Sequence, residues 1–516
     1  MLASLLRPYI VLLAGGALCC AAMAMGCSKR ASTADDPAPA SGDAGAVAAG
    51  RFPGGLTLDL LTFSGPQIVE PLRRRAAELR DRTGVNVRVH TVPFRALYPT
   101  MVEDLRSQSQ RYQAYAFPSQ WLTDFAAPGF LSGLDARIAA DPALAWDDIA
   151  PFFREFGATY GGRTYAIPLD GDFHMVFYRT DLLAGAELEP PRTWDDYLAV
   201  ARALHGRDFD GDDVPDYGSC IAKRPGVQAN YVMWSIVGPY LQSQGTRQGA
   251  FFDPDTMAPL TDNAAFARAL DIYRATGEYG PPDERQRDHA AMRDLYISGR
   301  CALTVDWGDI GTLAISARSR VQDLVGAVIA PGAREVLDRS SGKLVACTKL
   351  TCPYAVAGVN HAPHAAGGGW TGAIASAAPA PVQEAAFAFL SYLSQPAQSS
   401  RDVTIGATGF NPYRKSHFRD RAPWIAAGMS DTAAARYLGA TGLSLTSANM
   451  VLDLRIQNAH SYQQEVLDRA LDAFLAGTRS RAETMRDLTA GWNRITDELG
   501  RDAQRHAYRA SLGHSH

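Results

Sequence analysis

The stretch from residue 56 to residue 92 constrains the fold most, because its periodicity changes twice. LTLDLLTF (56–63) has the apolar and alternating character of a β-strand, and VNVRVHTV (85–92) alternates almost strictly. Between them, apolar residues recur at helical spacing over 68–80. A strand, a helix and a strand in succession predict a parallel pair with a crossover helix, and therefore an α/β fold. Ligands of such sheets bind beyond the carboxyl ends of the strands, where Phe63 and Gln67 lie.

Length and charge limit the class of protein. The 516 residues exceed what one ordinary core holds, so two or three domains are expected. The chain has 50 basic and 54 acidic residues and a net charge of −4, with no long run of like charge. Binding to nucleic acid calls for a clustered basic face, so we expect no nucleic-acid partner.

The N-terminus predicts export. Residues 1–26 contain an apolar run of small residues that ends in Ala24-Met25-Gly26-Cys27. A small residue before a cysteine resembles a bacterial lipoprotein signal, in which Cys27 becomes the lipidated first residue; an ordinary cleaved signal peptide is the alternative. Residues 27–51 are rich in Ala, Pro, Gly and Ser and predict a flexible tether. We expect the protein at the periplasmic or extracellular face, anchored to a membrane by Cys27.

The cysteines beyond the signal predict disulfides. An even number of them in an exported chain favours pairing, and four cysteines allow three connectivities. We expect Cys347 to pair with Cys352, because they close a short loop, which leaves Cys220 with Cys301. The tighter paired spacing of a zinc site is lacking.

The segment GGRTYAIPLDGDFHMVFYRT (161–180) places two carboxylates at a break between strand-like pieces. Pro168 and Gly171 argue against a helix there. One interpretation is a surface turn rich in aspartate. The other is a strand that crosses between two lobes, with Asp170 and Asp172 facing a cleft, and the rest of the chain favours it.

The segment RDFDGDDVPDYG (207–218) predicts a structural calcium site. Its alternating aspartates and one carbonyl match positions 1, 3, 5, 7 and 9 of a calcium loop, and oxygen ligands of this kind wrap a hard cation. The glycine stands at position 4 rather than 6, and position 12 is Ser219 rather than Glu, so a further ligand must come from elsewhere. A polar acidic loop without metal is the alternative. The predicted ligands are Asp208, Asp210, Asp212, the Val214 carbonyl and Asp216.

Five phrases in order carry a family resemblance: TYAIPLDGDFHMVFYRTDLL, PPRTWDDYLAVARAL, SGRCALTVDWGDIG, GGGWTGAIAS and TGFNPYRKS. Together they resemble the family 1 extracellular solute-binding proteins (the maltose-binding-protein-like family), which capture solutes for ABC importers. The resemblance covers about residues 56–509 and implies a two-lobed, type II periplasmic-binding-protein fold, with crossing strands at a hinge. Lobe I would comprise 52–172 plus 371–410, and lobe II 173–370 plus 411–516.

The resemblance also implies ligand contacts. Trp307 and Trp370 match the positions where family members stack sugars, and Asp172 matches a carboxylate beside the hinge. Gln120 and Trp121 match a loop of the first lobe. Several of these aromatic residues could equally be core residues. The full candidate set is Phe63, Gln67, Gln120, Trp121, Asp170, Asp172, Trp234, Tyr240, Asp306, Trp307, Trp370, Asn411 and Arg414.

This set predicts a carbohydrate receptor. Flat aromatic rings cover the apolar faces of sugars, while polar side chains bind their hydroxyls. We expect a non-enzymatic, monomeric protein that delivers a sugar or oligosaccharide to the transmembrane subunits of an ABC permease. One alternative is an exported glycoside hydrolase with Asp306 and Asp309 as acid and base. Another is a binding protein of the same fold with a sensory partner.

Overall fold

The computed structural model describes Phe52 and residues 55–407 and 409–514. The predicted signal, the lipidated Cys27 and the tether lie outside these residues. Within them the strands are β1 Thr57–Phe63, β2 Asn86–Val92, β3 Ala114–Pro118, β4 Thr159–Tyr160, β5 Arg163–Thr164, β6 Ala166–Pro168, β7 Met175–Arg179, β8 Tyr217–Ser219, β9 Cys301–Asp306, β10 Val325–Ile329, β11 Glu335–Asp338, β12 Lys343–Ala346 and β13 Trp370–Ile374.

The helices of the same residues fill the segments between the strands and most of the chain after β13. They are α1 Pro66–Thr83, α2 Phe94–Ser107, α3 Leu122–Ala126, α4 Asp135–Ala139, α5 Pro151–Glu155, α6 Thr180–Gly185, α7 Trp194–Leu204, α8 Ala229–Leu241, α9 Ala264–Gly277, α10 His289–Ile297, α11 Asp309–Leu313, α12 Ala380–Ser394, α13 Pro396–Asp402, α14 Lys415–Arg419, α15 Ala422–Ala426, α16 Asp431–Leu445, α17 Asp468–Leu475, α18 Arg481–Glu498 and α19 Arg501–Ser511. In the described part of the chain, none of them has the length and apolar character needed to cross a bilayer.

Two sheets organise the chain. The first has the strand order β2-β1-β3-β13-β6, and β1 runs parallel to both β2 and β3, which confirms the predicted strand–helix–strand unit. The second has the order β10-β7-β9-β8, with β7 antiparallel to β10 and β9. The chain leaves the first sheet after Pro168 and enters the second at Met175, so the segment between them crosses where the sequence predicts it. The exact lobe boundaries stay a prediction.

Local signals in the sequence account for several boundaries. Thr193 caps α7 by accepting a hydrogen bond from the Asp196 backbone N–H, and the Asp196 side chain completes a capping box. The core of the second sheet's side includes the fully buried Trp492, which the apolar stripe of α18 predicts. Burial of such stripes, more than helix propensity, holds these helices in place.

Both predicted disulfides are present. Cys220 pairs with Cys301, which links the end of β8 to the start of β9 across 81 residues of sequence. Cys347 pairs with Cys352 and closes the short loop after β12. Cross-linking of this kind stabilises the fold mainly by restricting the unfolded chain.

Candidate functional site: a cavity between the two sheets

The candidate site is a cavity that both sheets help to line. It has about 60 Å³ of space open to the centres of water molecules. From the first sheet's side come the ends of β1 and β3 and the starts of α1, α2 and β13; from the second come α8, α10 and the segment after β9. Seven of the predicted ligand-binding residues line it: Phe63, Gln67, Asp170, Asp172, Trp307, Trp370 and Asn411.

Aromatic rings form two walls. On the first sheet's side, Phe63 stacks on Trp370 with centroids 5.1 Å apart, and Phe94 packs edge-on against Phe63 at 5.7 Å. On the other side, Trp307 and Tyr231 meet edge-to-face at 5.4 Å. The Trp307 Nε1–H donates to the Ala366 carbonyl at 3.0 Å, which fixes the orientation of the indole ring.

Gly369 allows the segment before β13 to pass close to the segment that follows β6. Gly369 precedes Trp370 and has φ +81, and a Cβ at this position would overlap the Asp170 carbonyl oxygen. Both the left-handed backbone and the close approach therefore require glycine.

The guanidinium of Arg293 connects two of the acidic side chains at the polar side of the cavity. Arg293 on α10 donates to Asp306 through Nε and Nη2 at 3.1 and 2.6 Å, and to Asp309 through Nη2 at 2.9 Å. All three side chains are buried or nearly so. These charge-assisted bonds are stronger than neutral ones and hold the ion pair rigid. Asp306 in turn accepts from the Trp307 backbone N–H at 2.7 Å, so the network also positions the segment that carries the indole ring.

Asp170 and Asp172 are both hydrogen-bonded to Asn411, which comes from the segment between α13 and α14. The Asn411 backbone N–H donates to Asp170, and its Nδ2 donates to Asp172 at 2.9 Å. Burial, and then the negative charge of Asp309, raise the pKa of Asp170 to about 7. Burial, and then the neighbouring Asp170, raise the pKa of Asp172 well above its usual value. The interpretation of this segment as an exposed turn is therefore wrong, and the two carboxyl groups face the cavity.

Gln120 and Trp121 lie behind the cavity rather than on its wall. Gln120 is 2% exposed, and its Nε2 donates to the Tyr231 hydroxyl at 2.8 Å, so it holds a ring that does line the cavity. Trp121 is fully buried against Phe94 and Tyr98. Neither residue lines the cavity, because Trp121 turns into the core of the first sheet's side and Gln120 lies behind the Tyr231 ring.

Four further predicted contacts also lie away from the cavity wall. Trp234 and Tyr240 belong to α8, which is buried along its whole length, and the Trp234 ring packs 3.9 Å from that of Phe251. Arg414 is fully buried and donates to the carbonyls of Leu144 and Ala145 and to that of Ser394. Asp306 accepts hydrogen bonds from Arg293 and does not line the cavity. In this structure these four side chains support the core rather than a ligand.

A second set of contacts joins the two sides near the cavity. The Tyr98 ring stacks on His460 with centroids 4.6 Å apart and planes within 6°. Asp124 accepts from the Asn458 backbone N–H at 2.7 Å and from the Tyr98 hydroxyl at 2.9 Å. Burial raises the pKa of Asp124 to about 6. Tyr98 and Asp124 come from helices beside the first sheet, and Asn458 and His460 from the chain packed beside the second.

The predicted calcium loop is largely exposed, and an arginine side chain binds some of its carboxylates. One oxygen from each of Asp208, Asp210 and Asp216 lies within 4.8 Å of the others. Arg300, however, donates to Asp212 at 2.7 Å and pairs with Asp216 at 2.8 Å. With a longer contact of 3.5 Å to the Val214 carbonyl, the guanidinium thus engages three of the five predicted ligands. Arg300 is a partner that the sequence reasoning did not consider.

Tyr231, Phe94, Arg293 and His289 also line the cavity, and the sequence reasoning missed them. A signal existed for Arg293. It shares the inner stripe of α10 with Met292, Tyr296 and Ile297, and an arginine on a buried stripe needs a buried anion. Tyr231 offered no comparable signal, because every face of its helix is apolar or buried.

Comparisons with known proteins agree with this arrangement. Residues 65–399 match the family described as bacterial extracellular solute-binding protein. A mannitol-binding protein from Pseudomonas aeruginosa is 25% identical over 295 residues, which cover 56% of this chain and 64% of that protein. The match therefore spans less than two thirds of that relative.

Solved structures resemble the fold over most of the chain. A solute-binding protein of an ABC transporter from Agrobacterium radiobacter, in complex with ribitol, has a TM-score of 0.68 at 21% identity and covers 86% of this chain and 99% of its own. A second from Agrobacterium vitis, with bound D-mannitol, has a TM-score of 0.66 at 19% identity and covers 86% and 99%. At these identities the likeness concerns the fold, and it confirms the predicted two-lobed α/β architecture.

Proposed function

Because the chain belongs to the bacterial extracellular solute-binding protein family, we propose that it captures a sugar or sugar alcohol for an ABC importer. In this proposal the ligand binds in the cavity between the lobes, and the protein delivers it, as a monomer, to a membrane permease. The matched relatives that bind mannitol and ribitol support a polyhydroxylated ligand.

The observation that carries the proposal is the chemistry of the cavity wall. Trp307, Trp370 and Phe63 offer flat apolar faces, and Asp172 and Asn411 offer hydrogen-bonding groups beside them. Sugars and polyols present the complementary pattern of C–H faces and hydroxyl rims. A water needs about 10–15 Å³ of such space, so the cavity has room for roughly four to six waters. This size favours a small solute over a long oligosaccharide.

Contacts to both lobes would couple binding to closure. The cavity wall combines Trp370 on the first sheet with Trp307 after a strand of the second, so one ligand can bridge them. A ligand favours the closed state only to the extent that it binds that state better. The Gln120–Tyr231 and Asp124–Asn458 hydrogen bonds would add to this preference.

Calorimetric titration with ribitol, mannitol, sorbitol, tagatose and maltose tests the proposal. We expect saturable one-to-one binding of at least one of the small solutes, and a Kd about tenfold or more higher in Trp307→Ala, because the ring loses its stacking contact. Trp146→Ala is the matched control, since Trp146 is half-buried and lies outside the cavity. Flat traces throughout, or equal effects of both variants, would contradict the proposal.

We propose no catalytic role. The hydrolase alternative assigns Asp306 and Asp309 as acid and base, but both carboxylates bind Arg293. Both carboxyl groups are thus held in ion pairs with one arginine, whereas a glycoside hydrolase needs one carboxyl group free to donate a proton to the glycosidic oxygen. Release of additional reducing sugar from maltose and longer oligosaccharides would support the alternative.

We propose that Cys27 carries the lipid that anchors the protein on the outer side of a membrane. The support is the sequence that precedes it, which ends in a small residue after an apolar run. Cells labelled with a fatty-acid analogue should yield a labelled protein, and Cys27→Ser should abolish the label. A labelled Cys27→Ser protein would contradict lipidation at this position.

We also propose that the loop from Asp208 to Asp216 binds calcium as a structural ion. The support is the clustering of the Asp208, Asp210 and Asp216 oxygens within 4.8 Å, a separation that oxygen ligands of one calcium ion can have. Arg300 competes for this role, because it pairs with Asp212 and Asp216.

A further inference from the structure

The charge balance of the cavity is uneven. Four carboxyl groups, those of Asp170, Asp172, Asp306 and Asp309, surround one guanidinium, that of Arg293. Arg293 directs Nε and Nη2 to Asp306 and also bonds Asp309. Its bonds are therefore used on two of the four carboxylates, and the other two need another partner.

Asp170 and Asp172 have no cationic partner in the described part of the chain. Both line the cavity and are only 3% and 8% exposed. They accept hydrogen bonds from the backbone N–H and the Nδ2 of Asn411, and the two carboxyl groups also hydrogen-bond each other. No lysine, arginine or histidine nitrogen of the described residues forms an ion pair with either of them. A buried carboxylate without a counter-charge is costly, so the pair must either hold a proton or meet a positive charge supplied from outside.

The rest of the wall would accept a cation. Trp307, Trp370 and Tyr231 line the same cavity, and aromatic faces attract a cation that lies within about 6 Å. His289 adds no opposing charge, because burial and the nearby Arg293 lower its pKa to about 4. Among the described residues that line the cavity, Arg293 is the one permanent cation, and it is already paired.

We propose that the ligand is a polyhydroxylated solute that carries a protonated amino group, bound by Asp170 and Asp172 between the aromatic walls. The inference rests on the proposed function, since it specifies the ligand class of the same cavity. The hydroxyls would bind as in a neutral polyol, and the ammonium group would form charge-assisted bonds to the two carboxylates. An anionic sugar would meet like charge and be rejected.

Three ligands with one carbon skeleton provide the test. Sorbitol, glucamine (1-amino-1-deoxysorbitol) and gluconate carry a hydroxyl, an ammonium and a carboxylate at the same position. In calorimetric titrations of the wild-type protein at neutral pH, we expect glucamine to bind about tenfold or more tightly than sorbitol, and gluconate to bind weakest. Asp172→Asn should remove most of the preference for glucamine, whereas Asp262→Asn, at an exposed position outside the cavity, should leave it unchanged.

The pH dependence provides a second measurement that needs no variant. The ammonium group would displace the proton that Asp170 and Asp172 hold, so the affinity for glucamine should rise from pH 5 to pH 8, while that for sorbitol should not. Sorbitol or gluconate binding as tightly as glucamine would overturn the amine assignment and leave the receptor function standing. Absence of binding by these ligands and by the whole sugar panel would count against the proposed function itself, and with it against this inference.

Discussion

The cavity and the acidic loop are built from the same groups, several aspartates and one arginine, in opposite environments. In the cavity, Asp170 and Asp172 are buried, and burial raises the pKa of both. In the loop, Asp208 is exposed, and hydrogen bonds from the backbone, that of Asp213 first, lower its pKa. The environment, rather than the residue type, decides whether a carboxyl group keeps its proton.

The two regions also differ in which groups compensate the negative charge of their carboxylates. Asp208 accepts hydrogen bonds from four backbone N–H groups of its own loop, at 2.7 to 3.3 Å, and Arg300 serves Asp212 and Asp216. The loop therefore meets much of its negative charge with its own backbone and Arg300, whereas Asp170 and Asp172 have only Asn411 and each other as hydrogen-bond partners and form no ion pair among the described residues. Unmet charge next to open space is typical of a binding site, and satisfied charge is typical of a structural one.

The largest expected effect comes from removing each arginine. Arg293→Leu would leave Asp306 and Asp309 buried without a counter-charge, and we expect a loss of about 3–5 kcal/mol in the free energy of unfolding. Arg300→Leu removes a partner of Asp212, which is 43% exposed, and of the buried Asp216, so we expect a smaller loss of about 1–2 kcal/mol. Urea denaturation measures both losses. Equal losses would contradict the account, in which the buried carboxylates around Arg293 depend more on their arginine than the carboxylates around Arg300 do.

The pH dependence of stability should differ in sign between the two regions. The pKa of Asp170 is about 7 when folded, above its value in the unfolded chain, so this residue stabilises the fold at low pH and loses that contribution as pH rises towards 7. The pKa of Asp208 is lowered by folding, so its contribution is present above the unfolded pKa and lost as pH falls below it.

Asparagine variants isolate these contributions. Asp170→Asn should flatten the decline in the unfolding free energy between about pH 4 and pH 7, by roughly 2–4 kcal/mol. Asp208→Asn should change only the acid end of the profile. Thermal unfolding across the pH range measures both, and a wild-type protein whose stability rises from pH 5 to pH 8 because of Asp170 would contradict the assignment.

The smallest expected effect concerns calcium. Millimolar Ca²⁺ should raise the melting temperature of the wild-type protein by a few degrees, because an ion that binds only the folded state stabilises it. Arg300→Gln should enlarge this shift, since it frees Asp212 and Asp216 as ligands. Mg²⁺ is the control ion, because the site offers clustered carboxylates rather than octahedral geometry. The absence of any shift in both proteins would leave Arg300 as the loop's resident cation and refute the calcium site.

The sequence predicted the fold well where periodicity and order along the chain carry the information. The β1–α1–β2 unit, the crossing after Pro168 and both disulfides follow from local pattern and from the resemblance. The resemblance predicted Trp307 and Trp370, and both line the cavity, Trp307 directly after β9 and Trp370 at the start of β13.

The sequence could not decide which side of a turn or helix faces the cavity. Trp121 follows a strand as Trp307 does, yet its ring turns into the core, because the 3-10 turn after β3 directs it there. Arg414 resembles a ligand-binding residue by type, but its long side chain finds backbone carbonyls in the interior. Such choices depend on packing between distant segments, which no local pattern encodes.

A crystal structure with the tightest-binding polyol or amino-polyol tests the central claim most directly. The account predicts one ligand between the rings of Trp307 and Trp370, with a hydroxyl or ammonium group on Asp170 or Asp172. A ligand bound elsewhere on the protein, or a cavity that holds only water at saturating ligand, would contradict it.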